Sequence, residues 1–253
     1  MIFIKTSEEI ELLRASNLLV SRTLAEVGKA IKPGVSTLKL DKIAEEYLRD
    51  HGGIPGFFGY NGIPATLCTS LNDEVVHGIP SEKKLSKGDI LSVDCGVKLQ
   101  GYFGDSAYTF PVGEPSEEYI SLMLNTRESL FKGIEAAMAG NRLGDIGYAI
   151  QNHAEHAGYS VVREMVGHGL GQNLHEEPEV PNYGKRGSGI KLKEGMVICI
   201  EPMINMGTRF IKQDKDGWTI RTTDGKPSAH YELAVAITKG EPDVLSTFEY
   251  IED

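Results

Sequence analysis

Several apolar stretches of this chain carry acidic side chains where a buried strand has no ordinary use for them, and that conflict restricts the possible folds more than any other feature. Asp94 sits inside Asp89-Ile-Leu-Ser-Val-Asp94-Cys-Gly-Val. Glu201 closes Met196-Val-Ile-Cys-Ile-Glu201-Pro202, and Glu232 opens the apolar run that continues to Ile237. Acidic groups are rarely buried without a partner. One of them could meet an arginine or sit at the solvent end of its strand. Four, counting Asp105 below, are hard to accommodate that way, whereas a metal cluster satisfies all of them.

Asp105 enters through a predicted hairpin. Gln100-Gly101 has the composition of a tight turn, and Tyr102 to Phe110 reads as the returning strand. Pairing across that turn sets Asp94 opposite Ala107 and Asp105 opposite Gly96. Side chains alternate along a strand, so both aspartates then point to one face as diagonal neighbours. A hairpin one residue out of register would instead leave one aspartate in solvent.

The 253 residues are enough for one large domain or two small ones with a proper core. With 36 acidic against 26 basic side chains, the net charge of -10 argues against a DNA or general nucleic-acid binder. The first fourteen residues mix charges with apolar residues, unlike a secretory signal. No apolar run is longer than that of Met196 to Ile200, which is far too short to cross a membrane. Cys68, Cys95 and Cys199 are odd in number and widely spaced, which fits neither a disulfide framework nor a Cys-based zinc site. A monomer in the reducing cytoplasm is the simplest expectation.

Thr6 and Glu9 have capping-box spacing, so a first helix is predicted from there, with Ile10, Leu13, Leu18, Leu24 and Val27 as its apolar stripe. Pro33-Gly34 stops it. Ser36 caps a second helix with Leu40, Ile43, Tyr47 and Leu48 inside, ended by Gly52-Gly53. A Gly- and Pro-rich loop runs to Pro64, and short strands are predicted at Thr66–Ser70 and Val75–His77. Glu117 to Gly158 repeats the helical plan. An offset of 106 positions aligns Leu18 with Leu124, Leu24 with Leu130, Gly34 with Gly140, Leu40 with Ile146 and Gly52 with Gly158. Two similar halves, about 6–115 and 116–245, are therefore expected within a single domain spanning 1–253, with a site in the cleft between them.

Three histidines stand near glycine or proline. His168 lies in Gly167-His-Gly-Leu-Gly171, His175 in His175-Glu-Glu-Pro178, and His77 in His77-Gly-Ile-Pro80. Taken singly, each is more often structural than catalytic. His153 and His156 have i, i+3 spacing but share a polar helix face with Gln151, Asn152 and Glu155, so a solvated helix end is expected there. His51 and His230 give no separate signal.

Together these segments resemble the methionine aminopeptidases. The resemblance rests on Asp94 and Asp105 with ten residues between them, Gly-His168-Gly-x-Gly, Ile-Glu201-Pro and Tyr-Glu232, with the His77 and His175 segments in the same pattern. It implies an α/β (α+β) pita-bread fold of two pseudo-symmetric halves with the metal site in the central cleft. It also implies a dinuclear metallohydrolase that removes the N-terminal methionine of nascent proteins and peptides, using two divalent ions (Co, Mn, Fe or Zn). The absence of a Cys- or Lys-rich stretch before the first helix, and the short Glu201–Glu232 spacing, point to the type I form of bacteria.

The same resemblance assigns site roles. Asp94 chelates one metal and His168 the other, Asp105 and Glu232 bridge them, and Glu201 is a ligand and the proton shuttle. His175 hydrogen-bonds the substrate carbonyl oxygen and His77 the peptide-nitrogen side. Tyr60, Cys68 and Trp218 match positions lining the methionine pocket. Phe57, Ile63 and Leu174 fall at pocket positions where the family leads one to expect other residues, aromatic ones at Ile63 and Leu174. An X-Pro peptidase of the same fold, or a non-catalytic pita-bread protein that binds RNA or another protein, are the alternatives. Lys185, Arg186, Lys191 and Lys193 form a local basic patch that could touch the ribosome, against the plainer expectation of a solvated loop.

Overall fold

The computed structural model describes residues 1–252. Helix α1 (Ser7–Ala30) starts at the predicted cap. Glu9 donates its backbone N–H to the Thr6 hydroxyl at 3.3 Å, and the Glu9 carboxylate accepts the Thr6 N–H at 2.8 Å. Its buried stripe is Leu13, Leu19, Val20, Leu24 and Val27. Leu18, expected in that stripe, is only half-buried, and its offset partner Leu124 is 53% exposed. The inner face is instead shared with Ser16, Asn17, Ser21 and Thr23, whose side chains bond back to the carbonyls of Leu12, Leu13, Asn17 and Leu19. These small polar residues let the helix press on a strand: a side chain at Gly104 would come within 2.5 Å of the Ser16 backbone.

Helix α2 (Thr37–Asp50) is capped by the Ser36 hydroxyl, which accepts from Lys39 N–H. Leu40 and Leu48 are buried, with Ile43 and Tyr47 packed at the margin. From the same helix, buried Asp41 accepts the N–H groups of Thr66 and Leu67 at 2.9 and 2.8 Å. It thereby fixes the start of the strand that carries Cys68.

Strands β1 (Ile54–Pro55), β2 (Leu67–Leu71) and β3 (Glu74–Val76) follow, the last two one residue away from their predicted limits. The hairpin of β4 (Ile90–Leu99) and β5 (Tyr102–Pro111) has the predicted register: Asp94 faces Ala107 and Gly96 faces Asp105. Gln100 and Gly101 both have positive φ, 51° and 88°, as a two-residue hairpin turn demands. β4 also pairs with β2 and β1, and helices α1 and α2 cover this sheet through Leu24, Leu40, Leu91 and Val93.

The second helical pair is α3 (Glu117–Glu135) and α4 (Leu143–His156). After them come β6 (Ser160–Val161), β7 (Gly167–Gly169), β8 (Glu176–Val180), β9 (Val197–Ile200), β10 (Met203–Asn205), β11 (Ile211–Gln213), β12 (Ile220–Thr222), β13 (Ser228–His230), β14 (Leu233–Ala236), β15 (Asp243–Val244) and the short α5 (Glu249–Glu252). A five-stranded sheet in the order β15-β14-β9-β7-β8 buries Ile198, Ile200 and Val235 against Leu130, Ile146 and Ile150 of α3 and α4. The two sheets are joined where Glu232 N–H donates to Ala107 O at 2.9 Å and the Ser106 hydroxyl donates to Glu232 O at 2.6 Å. Cys68, Cys95 and Cys199 are buried free thiols. Among the described residues no helix is long and apolar enough to cross a membrane.

Replacing Asp41 with Ala strands two buried N–H groups at once. The expected loss is about 1–3 kcal/mol, read as a lower urea midpoint. An unchanged midpoint would mean that those amides find other partners.

Candidate metal centre

The join between the sheets gathers the acids. Asp94 and Asp105 project together from β4 and β5. The β9–β14 register pairs Ile200 with Leu233, so the adjoining residues Glu201 and Glu232 emerge side by side. Asp94, Asp105 and Glu232 each bring an oxygen to within 4.8 Å of the others. His168, on β7, places Nε2 3.7 Å from Asp105 Oδ2 and 3.6 Å from Glu201 Oε1. All five side chains named from the sequence as metal-directed therefore converge.

Neither lysine nor arginine pairs with these acids among the described residues; their contacts are to His168 and His230. Asp94 Oδ1, Asp105 Oδ1 and Glu232 Oε1 are buried without a hydrogen-bond partner. Burial pushes all four carboxyls up, Asp94 to about 6 and the other three well above the ordinary range. For Asp105 the next causes are the charges of Glu232 and Asp94. Burial moves His168 the other way, down to about 3. Its contacts are thus those of a neutral ring and not ion pairs. Nδ1 lies 2.9 Å from the Gly169 carbonyl, which can only accept, so Nδ1 carries the hydrogen and the Nε2 lone pair faces the acids. Orphaned carboxylate oxygens with one imidazole lone pair are the donor set of a divalent transition-metal cation. The residues present fit such an ion.

A cavity of about 500 Å³ opens beside the acids. Phe57, Tyr60, Ile63, Cys68, Leu174 and Trp218 all line it, as do His77 and His175. Ile63 and Leu174, the two departures from expected aromatics, are 8% and 1% exposed and give the pocket aliphatic walls. Trp218 is half-buried at the tip of the β11–β12 hairpin. Asp216 Oδ1 accepts both Trp218 N–H and Thr219 N–H at 2.9 Å. The Arg221 guanidinium bonds Asp214, Asp73 and Glu74, which ties that hairpin to β3. His77 follows β3 with φ +60°, a left-handed conformation uncommon for a residue with a side chain. Burial pulls its imidazole down to about 4.

His175 stands edge-on to His168, ring centres 4.3 Å apart, with Nδ1 2.7 Å from the Tyr60 hydroxyl. Its loop is anchored next door. Lys5 Nζ meets Glu176 Oε2 at 2.5 Å in an ion pair whose side chains are 6% and 4% exposed, while Ile2 bridges to Glu177.

His230, which carried no signal in the sequence, belongs to this cavity and is 1% exposed. In an extended segment residues i and i+2 share a face, so the pairing of His230 with Glu232 was the clue available. Cys199 also reaches the cluster, but burial pushes its thiol well up and keeps it protonated. His153 bonds Glu128 and His156 bonds Asn152 O, outside the cavity, as expected of a solvated helix end. Lys185, Arg186, Lys191 and Lys193 are exposed and do not line the cavity.

A family model described as "Metallopeptidase family M24" matches residues 11–239. The chain is 52% identical to a methionine aminopeptidase of Clostridium acetobutylicum over 250 residues, 98% of this chain and 100% of that protein. It superposes on the crystal structure of methionine aminopeptidase from Rickettsia prowazekii with a TM-score of 0.96 at 40% identity, covering 98% and 100% of the two chains. An Xaa-Pro dipeptidase from Bacillus anthracis shares the fold at TM-score 0.76 and 22% identity, with 62% of that chain covered.

The titrations give a stability test on metal-free protein. Carboxyls raised by folding contribute stability while protonated and lose it as pH rises through their folded values. Histidines lowered by folding act in the opposite sense, but only below their ordinary value of 6.5. Metal-free protein is therefore expected to lose stability as pH rises above about 6.5, and a divalent cation should restore it. A Tm independent of both pH and cation in that range would contradict the assignment of the cluster.

Proposed function

Because the chain belongs to metallopeptidase family M24, and its near full-length relatives are methionine aminopeptidases, we propose that it removes the N-terminal methionine from peptides and nascent proteins in the cytoplasm, acting as a single catalytic unit and a monomer. The observation that carries this reading is the direct contact between a largely apolar pocket and a cluster of four buried acids and a neutral histidine.

The pocket is the specificity element. Phe57, Ile63, Leu174 and the Trp218 ring offer walls suited to an unbranched apolar side chain, with Cys68 at the floor beside Asp94 through the β2–β4 pairing. Size exclusion of this kind needs only bulky apolar walls.

Asp94, Asp105, Glu201, Glu232 and His168 would hold two divalent cations, drawn from Co, Mn, Fe and Zn, all compatible with mixed oxygen and nitrogen donors. When bound, such ions lower the pKa of a shared water and polarise a carbonyl. The chain's own groups do the rest. Glu201, whose carboxyl burial pushes up, can accept a proton and return it to the departing amine. The Tyr60 hydroxyl can donate to His175 Nδ1, which places the ring proton on Nε2, free to donate to the substrate oxygen as negative charge builds there. His77, which also lines the cavity, would hold the peptide-nitrogen side.

Metal-stripped protein refilled with each cation in turn is expected to release Met from Met-Ala-Ser and to leave Ala-Pro intact. No release with any metal would overturn the reading, and cleavage of Ala-Pro alone would move it to the X-Pro peptidases. Replacing His175 with Ala should lower kcat by about 10²–10³-fold with metal content near that of the unaltered enzyme; loss of metal in that variant would mean the role is misassigned.

A further inference from the structure

We propose that His230 is a sixth metal-directed side chain, its Nε2 completing a nitrogen and oxygen donor set with Glu201 and Glu232 for one of the divalent cations. This rests on the reading of the acid cluster as a metal centre and extends it to a residue outside the five-residue set.

The backbone of His230 is fixed by a neighbouring hydroxyl. Thr109 Oγ1 accepts His230 N–H at 3.0 Å and donates to His230 O at 2.7 Å. Ser92 adds a third bond to the same hydroxyl at 2.9 Å. The strand pairing of His230 with Met203 holds it from the other side. A side chain on so fixed a backbone has few places to point, and the ring enters the acid cluster.

Once there it has no hydrogen-bond partner. Nε2 is fully buried and unbonded among the described residues, although it faces a carboxylate. Its distance to Glu201 Oε2 is 3.6 Å, beyond the roughly 2.7–3.2 Å of an N–H···O bond. The same spacing recurs across the cluster: His168 Nε2 lies 3.6 Å from Glu201 Oε1 and 3.7 Å from Asp105 Oδ2. Donor atoms sharing a cation at about 2.0–2.2 Å sit roughly 3–3.6 Å from one another. His230 is therefore spaced from Glu201 as His168 is, at a ligand-to-ligand separation. The two oxygens of Glu201 then each have one imidazole beside them, one facing His168 and the other His230. A donor atom of His230 falls within 4.8 Å of those of both Glu201 and Glu232, which closes the triangle.

The test uses metal-stripped full-length protein titrated with Co(II), following stoichiometry, affinity and the visible absorption of the bound ion. His230→Gln and His230→Ala are expected to weaken one of the two Co(II) sites at least about tenfold and to change its absorption band, because a nitrogen donor is lost. X-ray absorption on the unaltered Co(II) protein, which does not depend on how a variant folds, should count two imidazoles over two metals. One imidazole over two metals would overturn the proposal. So would a His230→Gln protein with unchanged affinity and spectrum, or one weakened with an unchanged spectrum, which would make His230 a hydrogen-bond donor to Glu201. If the unaltered protein bound no divalent cation, the metal-centre reading itself would fail, a result distinct from these.

Discussion

Four carboxyl groups share one buried volume with no lysine or arginine among the described residues to balance them, and the rest of the structure is organised around that repulsion. At about 4 Å, two like charges repel by roughly 4 kcal/mol even at an effective dielectric of 20. Several such pairs rival the roughly 5–15 kcal/mol that holds a whole domain together. The four acids cannot all be ionised unless cations lie among them. Every element that reaches the centre serves to hold these groups where repulsion would part them. The β4–β5 hairpin sets two acids on one face, the β9–β14 register sets two more, and the Ser106 and Ala107 contacts with Glu232 lock the sheets together.

Around this charged centre the protein places neutral polar groups and apolar walls. Burial keeps His168, His77, His175 and His230 uncharged, so that they offer lone pairs and single donors and add no positive charge to the cavity. No lysine or arginine among the described residues lines the cavity itself. Arg221 is bound by three carboxylates and stitches the Trp218 hairpin to the strand leading to His77.

Much of this was legible in the sequence because it follows from local rules. The Thr6–Glu9 cap, the Ser36 cap and the Gln100-Gly101 turn are short-range chemistry, and the period of two along a strand carried the Asp94–Asp105 register. The convergence of Glu201 and Glu232 on that pair came from the cost of burying acids together with the motif resemblance. What escaped was set by packing at long range. Leu18 lies off the inner face because α1 approaches Gly104 too closely for large residues, a fact of the strand as much as of the helix. His230 offered only its i, i+2 spacing to Glu232, because the contacts that place it, with Thr109 and Glu201, come from far away in the chain.

The buried pair between Lys5 and Glu176 ties the amino-terminal segment to the cavity wall. Ile2 lies along Glu177, Lys5 N–H donates to Gly195 O, and the residue before Glu176 is His175. Removing one partner of such a pair leaves a charge stranded in low dielectric. For anyone engineering this enzyme, residues 1–5 are therefore a poor place for an inserted affinity handle or a deletion. An alteration among the first five residues would be transmitted along a few bonds to the His175 imidazole in the cavity lining.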